Sequence, residues 1–337
     1  MRSAPGQRAR VLVTDYTWPD LAIETDVLSG VDADVIVAER GDADELVRLA
    51  EDVDAILTCF AKVPAEVLDA APRCRTVARY GVGVDNIDVA HATRLGILVS
   101  NVPDYCAEEV ADHTLLQVLA LARKLVPLTR QLAAGDWDGK SVGTPMRLRG
   151  KVFGLVGLGV IGRALVPRAR ALGMDVVALS RSGAVPVGVR VAGSLAELLA
   201  VADIVSLHVP LTADTHHLIG APELSAMKST ALLLNTARGP LVDTGALVDA
   251  LVAGEIAGAG LDVTDPEPLP PHHPLRTRDD VVLTPHIAFS SDGSLAELAR
   301  RAATNVADVL RGRLPGDVVN PDVLSSSALR ADLEPRS

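Results

Sequence analysis

Aromatic side chains are scarce in this 337-residue chain: two tryptophans, three tyrosines and three phenylalanines amount to 2% of it. A core of normal density must then be built from alanine, valine and leucine, and any pocket will be lined by aliphatic and polar groups. Ligands that need aromatic stacking are disfavoured. Cysteine is also sparse. Cys59, Cys74 and Cys106 are odd in number and stand at no metal-ligand spacing, which excludes a disulfide framework and a thiolate metal cluster and points to reduced thiols. Positive charge is in deficit, with 32 Lys and Arg against 43 Asp and Glu for a net charge of −11, and no basic block occurs. Nucleic acid and anionic membranes are therefore poor partners, and an anionic substrate must be caught by local donors. The longest charge-free apolar run, "VFGLVGLGVIG", falls far short of the roughly 20 residues a membrane span needs. The opening "MRSAPGQRARVLVTD" has no secretory pattern, so the expected location is the cytoplasm.

What is present is a long β-α alternation. Residues 10–100 run through "RVLVTD", "ADVIVAE", "DELVRLAEDV", "DAILTCF", "RTVARYG" and "ILVSNV", short apolar strands separated by helix-like segments, which implies parallel β-α units. From Cys106 to Leu132 the pattern is helical and is interrupted only at Pro127. The polar stretch 133–150 reads as a loop or arm. A second series opens at Lys151 and continues through "DVVALS", "ADIVSLHV", "ALLLNTA", "GAGLDV" and "VVLTPH". Residues 290–312 carry apolar positions at helical spacing and are long enough to return to the first series. The polar tail from Asn320 is expected to fray. The expected fold is α/β with two doubly wound domains. One is formed by 1–105 with 290–337, and the other by 106–289.

Chemistry concentrates at the ends of the strands in the second series. "GLGVIG", Gly157 to Gly162, is a G-x-G-x-x-G pattern directly after a strand and before an apolar-periodic helix. In that context Gly157 permits a tight turn, Gly159 lets backbone approach a pyrophosphate, and Gly162 allows close helix–strand packing. Leu158, Val160 and Ile161 complete the candidate phosphate cradle with helix-terminal amides. A dinucleotide site of this kind usually has an acid about 20 residues on, to hold the ribose 2′-hydroxyl. Ser180, Arg181 and Ser182 stand there instead. A guanidinium between two hydroxyls suits a 2′-phosphate, so NADP is the preferred cofactor expectation, with NAD possible. Arg238 follows an apolar strand in "LLLNTARGPLVD", placed to form a bidentate pair with a carboxylate. Asp262, Glu267 and His286 follow in "GLDVTDPEPL" and "LTPHIAFSS". A carboxylate beside an imidazole favours the imidazolium, which supplies the proton a carbonyl reduction needs. His272 and His273 stand between prolines with no second ligand cluster, so no metal site is expected.

Taken together, "YGVGVDNIDV", "GLGVIGRAL", "NTARGPLVD", "GLDVTDPEPL" and "LTPHIAFSS" resemble the D-isomer-specific 2-hydroxyacid dehydrogenase family over residues 10 to 320. "NVPDYCAEEVADHTL" and "PHIAFSS" resemble the subgroup around the C-terminal-binding-protein corepressors. The resemblance implies a flavodoxin-like substrate domain, a Rossmann dinucleotide-binding domain, and a homodimer built through a helix and arm at about 106–145. It further implies that Arg238 holds the substrate carboxylate and carbonyl, assisted by the amides of Val82 and Gly83. His286 then exchanges the proton and Glu267 pairs with it. Thr236, Ala237 and Asp262 line the nicotinamide end, and His208, Val209 and Pro210 pass the adenosine ribose. The implied reaction is hydride transfer between NAD(P) and a small 2-oxo or 2-hydroxy carboxylate. A second reading keeps the fold but not the turnover: a dinucleotide-sensing, corepressor-like binding protein.

Overall fold

The computed structural model describes residues 8–180 and 185–333. Two compact units result: residues up to Tyr105 together with those from Ser291 onward form one, and Cys106–Ser290 forms the other. The chain thus leaves the first unit, completes the second, and returns.

The first unit is a five-stranded parallel sheet of β1 (Ala9–Val13), β2 (Ala33–Val37), β3 (Ala55–Thr58), β4 (Thr76–Arg79) and β5 (Leu98–Ser100), in the order β2-β1-β3-β4-β5. This is the flavodoxin-like order, in which the sequence steps outward from β1 in both directions. β3 is buried along its whole length, which is why "AILT" reads as a continuous apolar run and not as an alternation. Leu12, Ile56, Val77 and Val99 build one face of its core.

The second unit holds seven parallel strands: β6 (Val152–Val156), β7 (Asp175–Leu179), β8 (Arg190–Val191), β9 (Ile204–Leu207), β10 (Leu232–Asn235), β11 (Gly258–Leu261) and β12 (Val281–Leu283). Their order, β12-β11-β10-β9-β6-β7-β8, is the Rossmann arrangement. Alternation along β10 shows how it is covered on both faces: Leu233 joins one apolar cluster, while Leu232 and Leu234 join the other. Truncating Leu233, fully buried, to alanine would cost about 2–5 kcal/mol by the cavity it leaves.

Two expectations are corrected. The interruption between helices Ala107–Ala122 and Leu125–Ala133 falls at Lys124, in the left-handed region at φ 56°, and not at Pro127. Pro127 lies in the first turn of the second helix, where its missing N–H has no intrahelical partner to lose. The described part of the tail, residues 320–333, is also anchored and not frayed. Asn320 is buried, donating to Ile97 O at 3.0 Å and Thr93 Oγ1 at 2.9 Å and accepting from Val99 N at 2.8 Å. Val323 and Ala331 close a small apolar cluster with Leu98 and Val309.

Candidate active site

In an open parallel sheet, ligands bind beyond the carboxyl ends of the strands, where the order reverses. In the second unit that place is the β6–β9 boundary, and the turn after β6 is Gly157–Gly162. Gly157 has φ 100°, and a Cβ there would stand 2.4 Å from the carbonyl oxygen of His208. A Cβ on Gly162 would stand 2.5 Å from Gly157 O, so the helix Val160–Ala171 can close on the turn only without a side chain. Gly159 is different. It caps that helix at φ −74°, and a Cβ added to it would meet nothing within 4 Å among the described residues. Leu158 is buried, Ile161 is half-buried and Val160 is exposed. Open space in front of unencumbered helix-terminal amides fits the pyrophosphate of a dinucleotide.

The neighbouring strand ends complete this surface. β7 pairs with β6 so that Val156 faces Leu179, which sets Ser180 beside Gly157. Arg181 and Ser182 lie outside the described residues. His208 begins the segment after β9, donating from its amide to Val156 O at 2.8 Å, with Val209 and Pro210 following. Its ring Nε2 meets Ser206 Oγ at 2.8 Å, whereas its buried Nδ1 has no hydrogen-bond partner among the described residues. Burial pushes this imidazole down to about 4, so it is neutral at physiological pH. Thr236 is buried with Oγ1 3.0 Å from Thr114 Oγ1, and the Ala237 amide donates to Asn235 Oδ1 at 3.1 Å.

Arg238 leaves the β10 end in an Asn235-braced turn. Asn235 Nδ2 donates to Arg238 O at 2.8 Å, and the Arg238 guanidinium donates to Ala237 O at 2.7 Å. The next residue explains how this turn reaches the acid loop: a Cβ on Gly239 would fall 1.9 Å from Thr264 O, so only glycine permits that approach. Three residues beyond Thr264 stands Glu267, whose Oε1 is 2.6 Å from His286 Nδ1. Burial opposes ionisation of this carboxyl. The His286 hydrogen bond, the His286 charge, the Thr264 amide and the Arg238 charge together outweigh it and hold the carboxyl below its ordinary 4.5. The Glu267 side chain is 40% exposed and that of His286 22%, so the pair is accessible. Phe289 presents its ring to His286 edge-on at 6.2 Å.

His286 itself is in the left-handed region at φ 51°, a conformation that must be imposed from outside on a non-glycine residue. Asp262 imposes it. Its carbonyl accepts the His286 amide at 2.8 Å, and its buried carboxylate accepts Ile287 N at 3.0 Å, Ala288 N at 2.8 Å and Thr284 Oγ1 at 2.6 Å. Thr284 Oγ1 is in turn 2.9 Å from His113 Nε2 and 3.2 Å from Gln117 Nε2, both on the helix Ala107–Ala122. Sequence reasoning placed Asp262 beside the cofactor but missed this anchoring duty, and missed Thr284 and Gln117 altogether. The only signal was the position of Asp262 at the end of β11, one strand away from β12.

In the first unit, Val82 and Gly83 follow β4 in a loop held by side chains on both flanks. Asn101 Nδ2 donates to Val82 O at 2.6 Å, and Asn86 Nδ2 donates to Ala61 O at 2.8 Å. Neither the Val82 nor the Gly83 amide is engaged by a backbone carbonyl among the described residues. Val82 is 39% exposed.

Residues 115–288, just over half of the chain, match the family model "D-isomer specific 2-hydroxyacid dehydrogenase, NAD binding domain". A glyoxylate reductase of Thermofilum pendens is 43% identical over 303 residues, covering 86% of this chain and 89% of its own. The NADPH-dependent glyoxylate/hydroxypyruvate reductase of Sinorhizobium meliloti, crystallised with NADP and malonate, superposes with a TM-score of 0.85 at 32% identity over 98% of this chain and all of that one. The Aquifex aeolicus D-lactate dehydrogenase, crystallised with NAD and lactic acid, gives a TM-score of 0.83 at 28% identity over 92% of this chain and 98% of that one. With a glycine turn that leaves space for a pyrophosphate and a Glu–His pair beside an arginine, this chain belongs to the D-isomer specific 2-hydroxyacid dehydrogenase family.

Proposed function

We propose that this protein is an NADPH-preferring reductase of small 2-oxo acids, glyoxylate and hydroxypyruvate being the first candidates. The observation that carries the reading is the 2.6 Å contact between His286 and Glu267, with the charge of Arg238 felt at the same carboxylate. Arg238 binds the substrate carboxylate, for which its planar fork is suited. The amides of Val82 and Gly83 are further donors to that carboxylate, as two neighbouring N–H groups on a small-residue loop can be. With Nδ1 committed to Glu267, His286 delivers its proton from Nε2 to the carbonyl oxygen, and neutral His286 takes it back in the oxidative direction. Glu267, ionised across the neutral range, fixes the ring and stabilises its charged form. Asp262 keeps His286 in its left-handed backbone conformation, which supplies the orientation on which proton transfer depends.

Gly157 to Gly162 would hold the pyrophosphate, with Thr236, Ala237 and Asp262 toward the nicotinamide and His208 to Pro210 along the ribose. When bound, the nicotinamide supplies the hydride. The NADPH preference is supported by the serine beside Gly157, which puts no carboxylate against a 2′-phosphate, and by the NADP bound in the Sinorhizobium relative. Arg181 and Ser182 are the further contacts we assign to that phosphate.

A homodimer through about 106–145 is part of the same proposal. Leu116, Leu125, Leu132 and Trp137 are all at least half exposed there, Trp137 to 88%. Substituting His286 with asparagine tests the catalytic assignment. Turnover should fall by about two to four orders of magnitude, the usual worth of a general acid, with the Kd for NADPH nearly unchanged. Loss of cofactor binding in place of turnover would reassign His286.

A further inference from the structure

The sequence gives the adjacent pair His216–His217 no role in the reaction. The pair lies in a turn, with His216 N donating to Thr212 O at 3.0 Å, and there the two rings come together. His217 is in the left-handed region at φ 50°, which turns its ring onto that of His216 with centroids 4.0 Å apart and planes within 30°. Asp265, from the loop that follows β11, reaches the same spot, and one ligand atom from each of the three lies within 4.8 Å of the other two. The backbone under each is tied down: His216 N donates to Thr212 O at 3.0 Å, His217 N to Pro240 O at 2.8 Å, and Thr244 Oγ1 to Asp265 O at 2.7 Å. Asp243 adds a second carboxylate 3.9 Å from His217 Nδ1. The other adjacent pair, His272–His273, shows no such gathering among the described residues.

We propose that His216, His217 and Asp265 form a binding site for a divalent transition metal, Zn²⁺ or Co²⁺ in class. Two imidazoles and one carboxylate are a three-ligand set that leaves the fourth tetrahedral position to water. Tetrahedral ligands at zinc distances stand roughly 3.3 Å apart, and an imidazole lone pair lies in its ring plane, so binding an ion requires the two exposed rings to leave their stack and converge. Imidazole donors select against Mg²⁺ and Ca²⁺, which require an oxygen shell. Asp265 precedes Glu267 by two residues, so an ion bound here restrains the segment that bears the proposed partner of His286. That consequence rests on the catalytic reading of Glu267, whereas metal binding does not.

Titration calorimetry of the full-length, tag-free protein with ZnCl₂ and with CoCl₂ tests the site, with cobalt absorption reporting coordination. One ion per chain should bind with micromolar affinity and give the intense visible bands of tetrahedral cobalt. Binding should weaken at least about tenfold in H216A, H217A and D265N and be retained in H272A/H273A. A zinc-dependent rise in melting temperature should disappear in the same three variants, each checked by circular dichroism. The proposal is overturned if wild type binds no more tightly than H216A/H217A, or if H272A/H273A is the variant that loses the ion. Reductase turnover, measured separately in metal-free protein, bears only on the role of Glu267 and His286.

Discussion

Gly159→Ala separates a glycine kept for a ligand from a glycine kept for the fold. The added methyl meets no neighbouring atom of the described residues within 4 Å, and φ −74° is one alanine adopts freely. The only folding cost is the poorer helix cap, under about 1 kcal/mol. If the pyrophosphate lies against these amides, the methyl occupies its approach and forfeits at least one charge-assisted hydrogen bond. Such a bond is worth about 1.5–3 kcal/mol, which corresponds to a Kd for NADPH raised roughly 10- to 150-fold. Gly157→Ala should behave in the opposite sense. Its Cβ would sit 2.4 Å from His208 O at φ 100°, so it should destabilise the second unit by about 2–5 kcal/mol from strain and overpacking. Nucleotide titration by quenching or calorimetry, paired with thermal melts, reads both. A Gly159→Ala protein that binds NADPH like wild type, or that unfolds, would refute the placement of the pyrophosphate.

Four other outcomes are expected. Because the Glu267 carboxyl titrates below its ordinary 4.5, its pairing with His286 stabilises the fold above that pH and is lost as pH falls through the depressed value. The melting-temperature gap between wild type and Glu267→Gln should therefore be open at about pH 5 and close as pH falls below about 4.5. His208 titrates near 4 when folded and near 6.5 when unfolded, so its burial costs stability progressively as pH drops from 6.5 to 4. The ceiling is about 3 kcal/mol, and His208→Gln should flatten that slope in denaturant titrations. Thr284→Val removes the hydroxyl shared by Asp262, His113 and Gln117; kcat should fall several-fold while the KM for NADPH holds, and an unchanged kcat would detach this network from His286. Gly239→Ala must push the Arg238 turn away from Thr264, so the KM for the keto acid should rise by more than about tenfold, measured in steady-state assays.

The strands other than β8 and their parallel pairing were legible because each is a short apolar run between turn residues, whereas β8 is only Arg190–Val191, both exposed, and carries no such run. The turn at Gly157 and the close packing at Gly162 were legible because backbone requirements act locally. The helix break was misplaced because Pro127 is the visible breaker, while Lys124 adopts left-handed backbone with no side-chain cue. The tail was misread because polar residues fray only when unpartnered, and Asn320 finds its partners in Thr93, Ile97 and Val99, more than 200 positions away. The same limit hid the Asp262 network. His113 and Thr284 are 171 positions apart, and no spacing rule links a helix residue to a strand end at that range. Strand-end Arg238, Glu267 and His286 could be named from sequence, but the left-handed His286 and the glycine contact that brings Arg238 to the acid loop are properties of packing.

Turnover of a small 2-oxo acid is read from nicotinamide absorbance with glyoxylate and hydroxypyruvate, each with NADPH and with NADH. Catalytic consumption of the reduced cofactor is expected with both keto acids, faster with NADPH, and should be nearly abolished in His286→Asn. Tight NADPH binding with no turnover on either acid would contradict the reductase proposal and leave a dinucleotide sensor in its place.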